Sequence, residues 1–362
     1  MKILIISAVG LSFDGISSVI CEYIRAMNRD GLTLYVADTI YTEDSIRKGL
    51  ESLGCKFVPF PSRRKSLFSY FRKIRKFIRK EKIDIVHAHG NSATLAVEML
   101  AAKCGGCKRR IAHSHSTQCE HVKADRILRP LFRHLYTEAI ACSQGAGKWL
   151  FGEKPFLVLK NGRDLDKYRF NRDIRASIRE EFSIGESVAV GHVGSFLPVK
   201  NHNFLLEIYA ELLKRNPNTC FFMIGDGDLR TEIEDKAKKI GIYNKIHFTG
   251  KTDRVADIIQ GMDVMVLPSL YEGLPLVVIE WQAAGLPCIL SDVITKECQV
   301  THLVEFVSLN VKVEKWADTI LSAASKNQRQ KQSVEACLEL KEAGYDIREN
   351  AIALKDIYLK SN

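Results

Sequence analysis

At 362 residues the chain exceeds the needs of one ordinary domain, and two domains of about 150–200 residues are expected. Its 46% hydrophobic and 27% charged residues support buried cores and exclude large-scale disorder. The net charge of +10 points to anionic partners: phosphorylated substrates, acidic lipid or nucleic acid.

Lys2–Ser7 reads as a strand, too short and without the cleavage-site pattern of a signal peptide. The loop Ser12-Phe-Asp-Gly-Ile-Ser-Ser18 follows, then a helical pattern over Ile16–Met27 and a strand over Thr33–Ala37. Segment 63–80 carries nine basic residues and no acid, with Leu67, Phe68, Tyr70, Phe71, Ile74, Phe77 and Ile78 at helical spacing. Such a helix fits an anionic membrane surface or acceptor, or packs its apolar face inward with a solvated basic face outside. Nucleic acid is disfavoured as its partner.

A strand over Ile83–His87 leads into His87-Ala-His89, and one over Arg110–His113 into His113-Ser-His115. Strand-end histidines can hydrogen-bond a sugar, move a proton or gather around a metal, although a single one is ordinarily structural. Between them Cys104-Gly-Gly-Cys107 lacks the second pair that a zinc site needs and reads as a loop. Several of the other cysteines, such as Cys288, sit in apolar runs, as reduced thiols do in a cytoplasmic protein. Strands over Glu138–Ala141 and Phe156–Leu159 precede the turn-rich Asn161-Gly-Arg-Asp-Leu-Asp and a charged stretch, where a boundary is expected.

The alternation then repeats. Strands are expected over Val188–Val193, Thr219–Ile224, Ile246–Thr249, Val264–Pro268 and Pro287–Leu290. Helices are expected over Asn203–Lys214, Leu229–Lys239, Arg254–Gly261 and Leu276–Ala284, with a last one over Asp346–Leu359. Apolar strands alternating with helices imply parallel sheets covered on both faces. The expected class is α/β: two doubly wound Rossmann-like domains facing a central cleft, with ligands at the carboxyl ends of the strands. The expected domains are 1–165, joined by a returning helix at 346–362, and 166–345. No run of about 18 apolar residues is present, so no transmembrane span is expected.

Two constellations carry chemistry. In the stretch Glu272-Gly-Leu-Pro-Leu-Val-Val-Ile-Glu280, Pro275 opens a helix and Gly273 allows close approach of a ligand. The helix start suits a phosphate, and carboxylates on either side suit hydroxyls, which together describe a nucleotide sugar. The plain alternative is a helix start with acids favoured by the dipole. In Gly191-His-Val-Gly-Ser-Phe-Leu-Pro-Val-Lys200, Lys200 is placed to neutralise a departing diphosphate, or is a solvated helix-start lysine. No complete G-x-G-x-x-G fingerprint is present in the first loop or at Gly225-Asp-Gly227, which disfavours a nicotinamide dehydrogenase.

Taken in order, these motifs resemble the family 4 retaining glycosyltransferases of the GT-B fold, in the branch that builds bacterial capsules and exopolysaccharides. The resemblance spans Gly15, Asp84–His89, Arg110–His115, Asn161-Gly162, Gly191–Asn201, Gly225–Gly227, His247–Lys251, Glu272–Glu280 and Gly285–Asp292. It implies a nucleoside diphosphate sugar donor, UDP-linked, a lipid-linked saccharide acceptor, and no metal or cofactor. Glu272 would contact the transferred sugar, Lys200 the diphosphate and His115 the active site, with His113 its nearest rival. Gly273, Leu274, Pro275 and Leu276 would hold the distal phosphate, Glu280 the ribose, Gly15 the phosphate side, and Lys251 the base. The protein would work in the cytoplasm, peripheral at the inner face of the plasma membrane through 63–80. Two positions depart from the family pattern: Ser195 stands where an arginine is usual, and Asp14 where a glycine is common. An inactive binding or scaffold subunit of the assembly complex is therefore the alternative, with a nucleotide-sugar epimerase as a third reading.

Overall fold

The computed structural model describes residues 1–12, 14–325 and 328–360. It divides into two compact units, Met1–Gly162 with Asp346–Asn362, and Arg163–Tyr345; Ser361 and Asn362 lie outside the described residues. The first unit contains β1 (Lys2–Ser7), β2 (Thr33–Asp38), β3 (Lys56–Pro59), β4 (Ile85–Gly90), β5 (Arg109–Ser114), β6 (Glu138–Ala141) and β7 (Leu157–Val158). The second contains β8 (Val188–Val193), β9 (Thr219–Ile224), β10 (Ile246–Gly250), β11 (Val264–Leu267), β12 (Cys288–Ser291) and β13 (Val304–Val307).

Both sheets are parallel, with strand orders β3-β2-β1-β4-β5-β6-β7 and β10-β9-β8-β11-β12-β13. Each chain segment begins at the centre, winds to one edge, and crosses back to build the other half. The winding therefore reverses between β1 and β4, and again between β8 and β11, and that is where doubly wound sheets open a crevice for ligands.

The sequence dictates this layering. Inner strands are apolar on both faces, and all four residues of β11 are buried. Alternation sends neighbours to opposite sides: Val190 and Phe221 join one apolar cluster with Trp316, while Ala189 and Phe222 join the other with Trp281. Both tryptophans are fully buried, and truncating either to alanine costs about 3–5 kcal/mol.

Edge strands β3 and β13 escape the sequence reading because they lack continuous apolar runs. Lys56 and Pro59 of β3 and Glu305 of β13 face solvent. Strand β4 starts two residues later than expected and runs on to Gly90, which takes His89 into the sheet. The closing helix, Ile347–Leu359, is capped by Asp346, whose side chain accepts from the Arg348 N–H, and it packs on Gly15–Ala26 within the first unit.

Candidate functional site

In the second unit the loops leaving β8 and β11, the strands that flank the reversal, are tied together. The Lys200 ammonium lies 2.6 Å from Oε1 of Glu272, and the Ser269 hydroxyl donates to the same oxygen at 2.8 Å. The Leu270 N–H donates to the Val199 carbonyl, and the Asn201 side-chain amide to that of Pro268. Asn201 takes a left-handed backbone at φ +56°, which asparagine tolerates, and so turns the chain from the loop into the helix His202–Arg215. Neither Ser269 nor Asn201 stands out in the sequence, since serine and asparagine next to loops are common.

Glycines set the backbone of this region. A Cβ on Gly194 would stand 3.4 Å from Cδ and Cε of Lys200, so the lysine stem lies across it. Gly225, at φ +140°, approaches so closely that a Cβ would fall 2.1 Å from the Gly194 carbonyl oxygen. Backbone bonds from Gly194 to Ile224, from Phe196 to Asp226 and from Gly225 to Gly250 join the ends of β8, β9 and β10. Ser195 is exposed on this rim, and Lys251, also exposed, follows directly after β10.

Helix Leu276–Ala283 begins after Pro275, and no side chain caps its start. Its uncapped first-turn N–H groups carry the partial positive charge of a helix start, a few residues along the chain from Glu272. Glu280 lies one turn and more along and is buried. Its Oε1 is 2.9 Å from Nε of Arg163, and the two side chains are only 10% and 4% exposed. Arg163 thus forms a buried ion pair with Glu280.

In the first unit Asp14 is the N-cap of helix Gly15–Ala26. Its carboxylate accepts from the Ser17 N–H at 2.9 Å and from the hydroxyls of Ser12 and Ser17. The position next to Gly15 therefore already holds a negative charge at the helix start.

Strands β4 and β5 bring four histidines together. His89 pairs in register with His113, and the alternation puts His87, His89, His113 and His115 on one face. Nδ1 of His89 lies 2.9 Å from Nε2 of His115, and Nε2 of His87 lies 3.2 Å from Nδ1 of His113. Burial pushes His115 down to about 4, against a smaller opposing effect of Asn161, and it drives His89 and His113 well below 6.5. All four are neutral near pH 7.

Helix Leu67–Glu81 buries Tyr70, Ile74 and Ile78, and Phe77 meets Tyr35 and Phe60 edge to face. Arg63 pairs with buried Glu98, which also accepts from the Tyr70 hydroxyl. Arg72, Lys73, Arg75, Lys76, Arg79 and Lys80 are exposed, as are Leu67 and Phe68 at the helix start. The inward face is therefore packed and the outward face basic. Cys104 is exposed, whereas Cys107 is buried with its thiol on the Asp84 and Arg109 carbonyls. No helix among the described residues is long and apolar enough to cross a membrane.

Comparison with known proteins adds the following. Residues 173–345 match the family described as glycosyl transferases group 1, and residues 13–167 match glycosyltransferase family 4. EpsF of Bacillus subtilis strain 168, named as a glycosyltransferase, is 33% identical over 371 residues, covering 96% of this chain and 94% of EpsF. The UDP-Gal:alpha-D-GlcNAc-diphosphoundecaprenol alpha-1,3-galactosyltransferase of Escherichia coli is 28% identical, covering 89% of this chain and 86% of its own. Anabaena HepE, solved in complex with UDP, superposes with a TM-score of 0.80 at 16% identity over 99% of both chains.

Proposed function

The chain belongs to the group 1, family 4 glycosyltransferases and has their GT-B fold, and on that premise we propose that it transfers a hexosyl group from a UDP-sugar, with retention, to a saccharide carried on undecaprenyl diphosphate. The product would enter capsule or exopolysaccharide assembly at the inner face of the plasma membrane. The observation that carries this reading is the pairing of Lys200 with Glu272 beside an uncapped helix start, at the reversal of the second sheet. The acceptor class draws on the E. coli relative, whose name gives that chemistry.

This reading carries a mechanism with it. Without a donor, Lys200 and Glu272 neutralise each other. A bound donor exchanges this pair for two better ones: its diphosphate takes the ammonium, and its sugar hydroxyls donate to the freed carboxylate. Backbone N–H groups of Gly273, Leu274 and Leu276, with Pro275 shaping the turn between them, hold the distal phosphate, and Glu280, oriented by Arg163, accepts from the ribose. As the glycosidic C–O bond breaks, negative charge grows on the diphosphate, where Lys200 and the helix start are already aimed. The acceptor hydroxyl attacks from the departing side and gives its proton to a leaving phosphate oxygen. The resemblance assigns His115, neutral, as a hydrogen-bond partner of the reacting sugar.

A second reading keeps the nucleotide-sugar site without transfer. It is favoured by the absence of a cationic side chain at Ser195 together with the commitment of Arg163 to Glu280.

A panel of UDP-, GDP- and ADP-sugars with polyprenyl-diphosphate-linked GlcNAc separates the two. Transfer with the anomeric configuration kept, read by NMR of the product, is the expected result. Saturable UDP-sugar binding without turnover supports the second reading. Inversion overturns the retaining mechanism, and absence of UDP binding overturns both.

A further inference from the structure

The histidine array of the first unit holds more than one candidate active-site residue requires. A His-x-His lies within β4 and another at the end of β5, and the pairing of His89 with His113 gathers three buried imidazoles and the half-buried ring of His115. The rings of His87 and His113 are parallel to within 2°, with centroids 5.3 Å apart. One ring nitrogen each from His87, His89 and His113 falls within 4.8 Å of the others. Nε2 of His113 is buried without a hydrogen-bond partner, a costly state for a polar atom.

We propose that His87, His89 and His113 form a three-imidazole site in the first unit for a borderline divalent cation of the zinc class, the ion itself taking no part in the bond-breaking step. Two of the three ligands have the outer partner that such sites need. Nδ1 of His87 lies 2.6 Å from the Tyr358 hydroxyl on the closing helix, which leaves Nε2 as its lone pair. Nδ1 of His89, donating to Nε2 of His115 at 2.9 Å, leaves its own Nε2 as the ligand. His113 offers either of two nitrogens, one unpartnered and one 3.2 Å from Nε2 of His87. That spacing is close to the edge of a tetrahedron with metal–nitrogen bonds of 2.0–2.1 Å, about 3.4 Å, so both nitrogens reach one ion with small ring rotations. Imidazoles suit zinc, copper and nickel, whereas magnesium and calcium demand oxygen ligands that these three side chains do not offer.

The rival is a stack of hydrogen-bonded neutral imidazoles, with the proton of His113 Nδ1 given to His87. In either state Nε2 of His113 stays unpartnered, and the convergence of one nitrogen from each of the three rings is what favours the ion. A cation here pins the carboxyl ends of β4 and β5. It also fixes the tautomer of His115, because a metal-bound His89 can present only its Nδ1–H to that ring.

The test uses untagged full-length protein, stripped with chelator and then titrated with Zn²⁺ against a chromophoric competitor. One equivalent bound at micromolar or tighter affinity is expected. Co²⁺ on the same protein should show the visible bands of a four-coordinate site. His87→Gln and His113→Gln should each weaken binding at least 100-fold, and Tyr358→Phe by about 10- to 100-fold, as loss of an outer partner does. UDP binding, measured in parallel, should be unchanged by metal, so failure here and failure of the transferase reading are distinguishable. Wild-type protein that takes up neither ion stoichiometrically overturns the site. So does uptake that persists unchanged in both glutamine variants. Should those variants fail to fold, the Co²⁺ spectrum of the wild type decides.

Discussion

Lys200 illustrates how one side chain changes role with its surroundings. Its ammonium is held 2.6 Å from Glu272, so deleting it has two effects. A carboxylate loses its partner, and a growing negative charge loses its nearest stabiliser. Lys200→Ala is expected to lower kcat by about 10²- to 10³-fold, with a smaller change in KM, measured with the donor that supports turnover. Equal turnover in the variant removes Lys200 from the reaction. Arg163 tests a buried pair instead. Arg163→Leu removes the buried cation paired with Glu280 and is expected to lower unfolding free energy by about 3–5 kcal/mol and to weaken UDP binding, by denaturation and calorimetry. A variant as stable as the parent means that the pair contributes little.

His202 gives a pH prediction at the same scale. It stacks on Phe196 at 4.2 Å, and burial first, then the Lys200 charge, pushes it down to about 4. Nearby His192, its Nδ1 on the Val266 carbonyl, is driven well below 6.5 by burial and then by His202. Above pH 6.5 neither folded nor unfolded chain binds these protons, so the groups leave stability unchanged. Below 6.5 the unfolded chain takes them up and the native chain does not, so stability falls until the native pKa is reached. His202→Phe keeps the stacking and removes one titrating group. Between pH 7.5 and 5 it should lose about 2 kcal/mol less than the parent in urea titrations. Parallel losses in both proteins would show that His202 does not titrate on unfolding.

Among the elements, the strands that matter were legible and their connections were not. β1, β6, β8 and β9 match the sequence reading residue for residue, because buried parallel strands are apolar runs bounded by turns. The loops after β8 and β11 were legible as motifs, yet the Lys200–Glu272 contact spans 72 positions and no local pattern encodes it. Arg163 reads as a turn residue, and its partner Glu280 is more distant still in sequence. Asp14 looked like a departure from the family and is explained locally, as an N-cap held by two serines. The Gly225 contact is the clearest case of an element fixed from outside. Gly225→Ala puts a methyl 2.1 Å from the Gly194 carbonyl oxygen in a backbone region that L-residues rarely adopt. The loop carrying Ser195 and Lys200 has to move. We expect UDP affinity to fall by at least tenfold while circular dichroism stays that of the parent, and unchanged affinity would mean that the loop takes no part in donor binding.

For the whole molecule, the +10 charge is informative only once its distribution is known. Arg63 is spent on buried Glu98, so the basic segment presents fewer charges than the sequence count suggests. Six cations of helix Leu67–Glu81 remain on its solvent side, with Leu67 and Phe68 exposed at its start, the latter 77%. The opposite face is fully used by the core of the first unit, so this helix needs no membrane to be folded and can bind one without unfolding. That makes a surface-bound state cheap: each lysine or arginine near an anionic bilayer contributes about 1 kcal/mol, screened by salt, and Phe68 adds apolar burial. The protein is expected to sediment with vesicles rich in phosphatidylglycerol and to be released by raised salt. Lys73→Glu with Lys76→Glu removes two attractive charges and adds two repulsive ones, which should lower partitioning at least 30-fold without changing UDP binding or stability. Binding to neutral phosphatidylcholine vesicles with equal strength, or partitioning indifferent to both salt and the double substitution, would leave the basic face as a solvated helix surface and move the search for the acceptor's approach to other parts of the first unit.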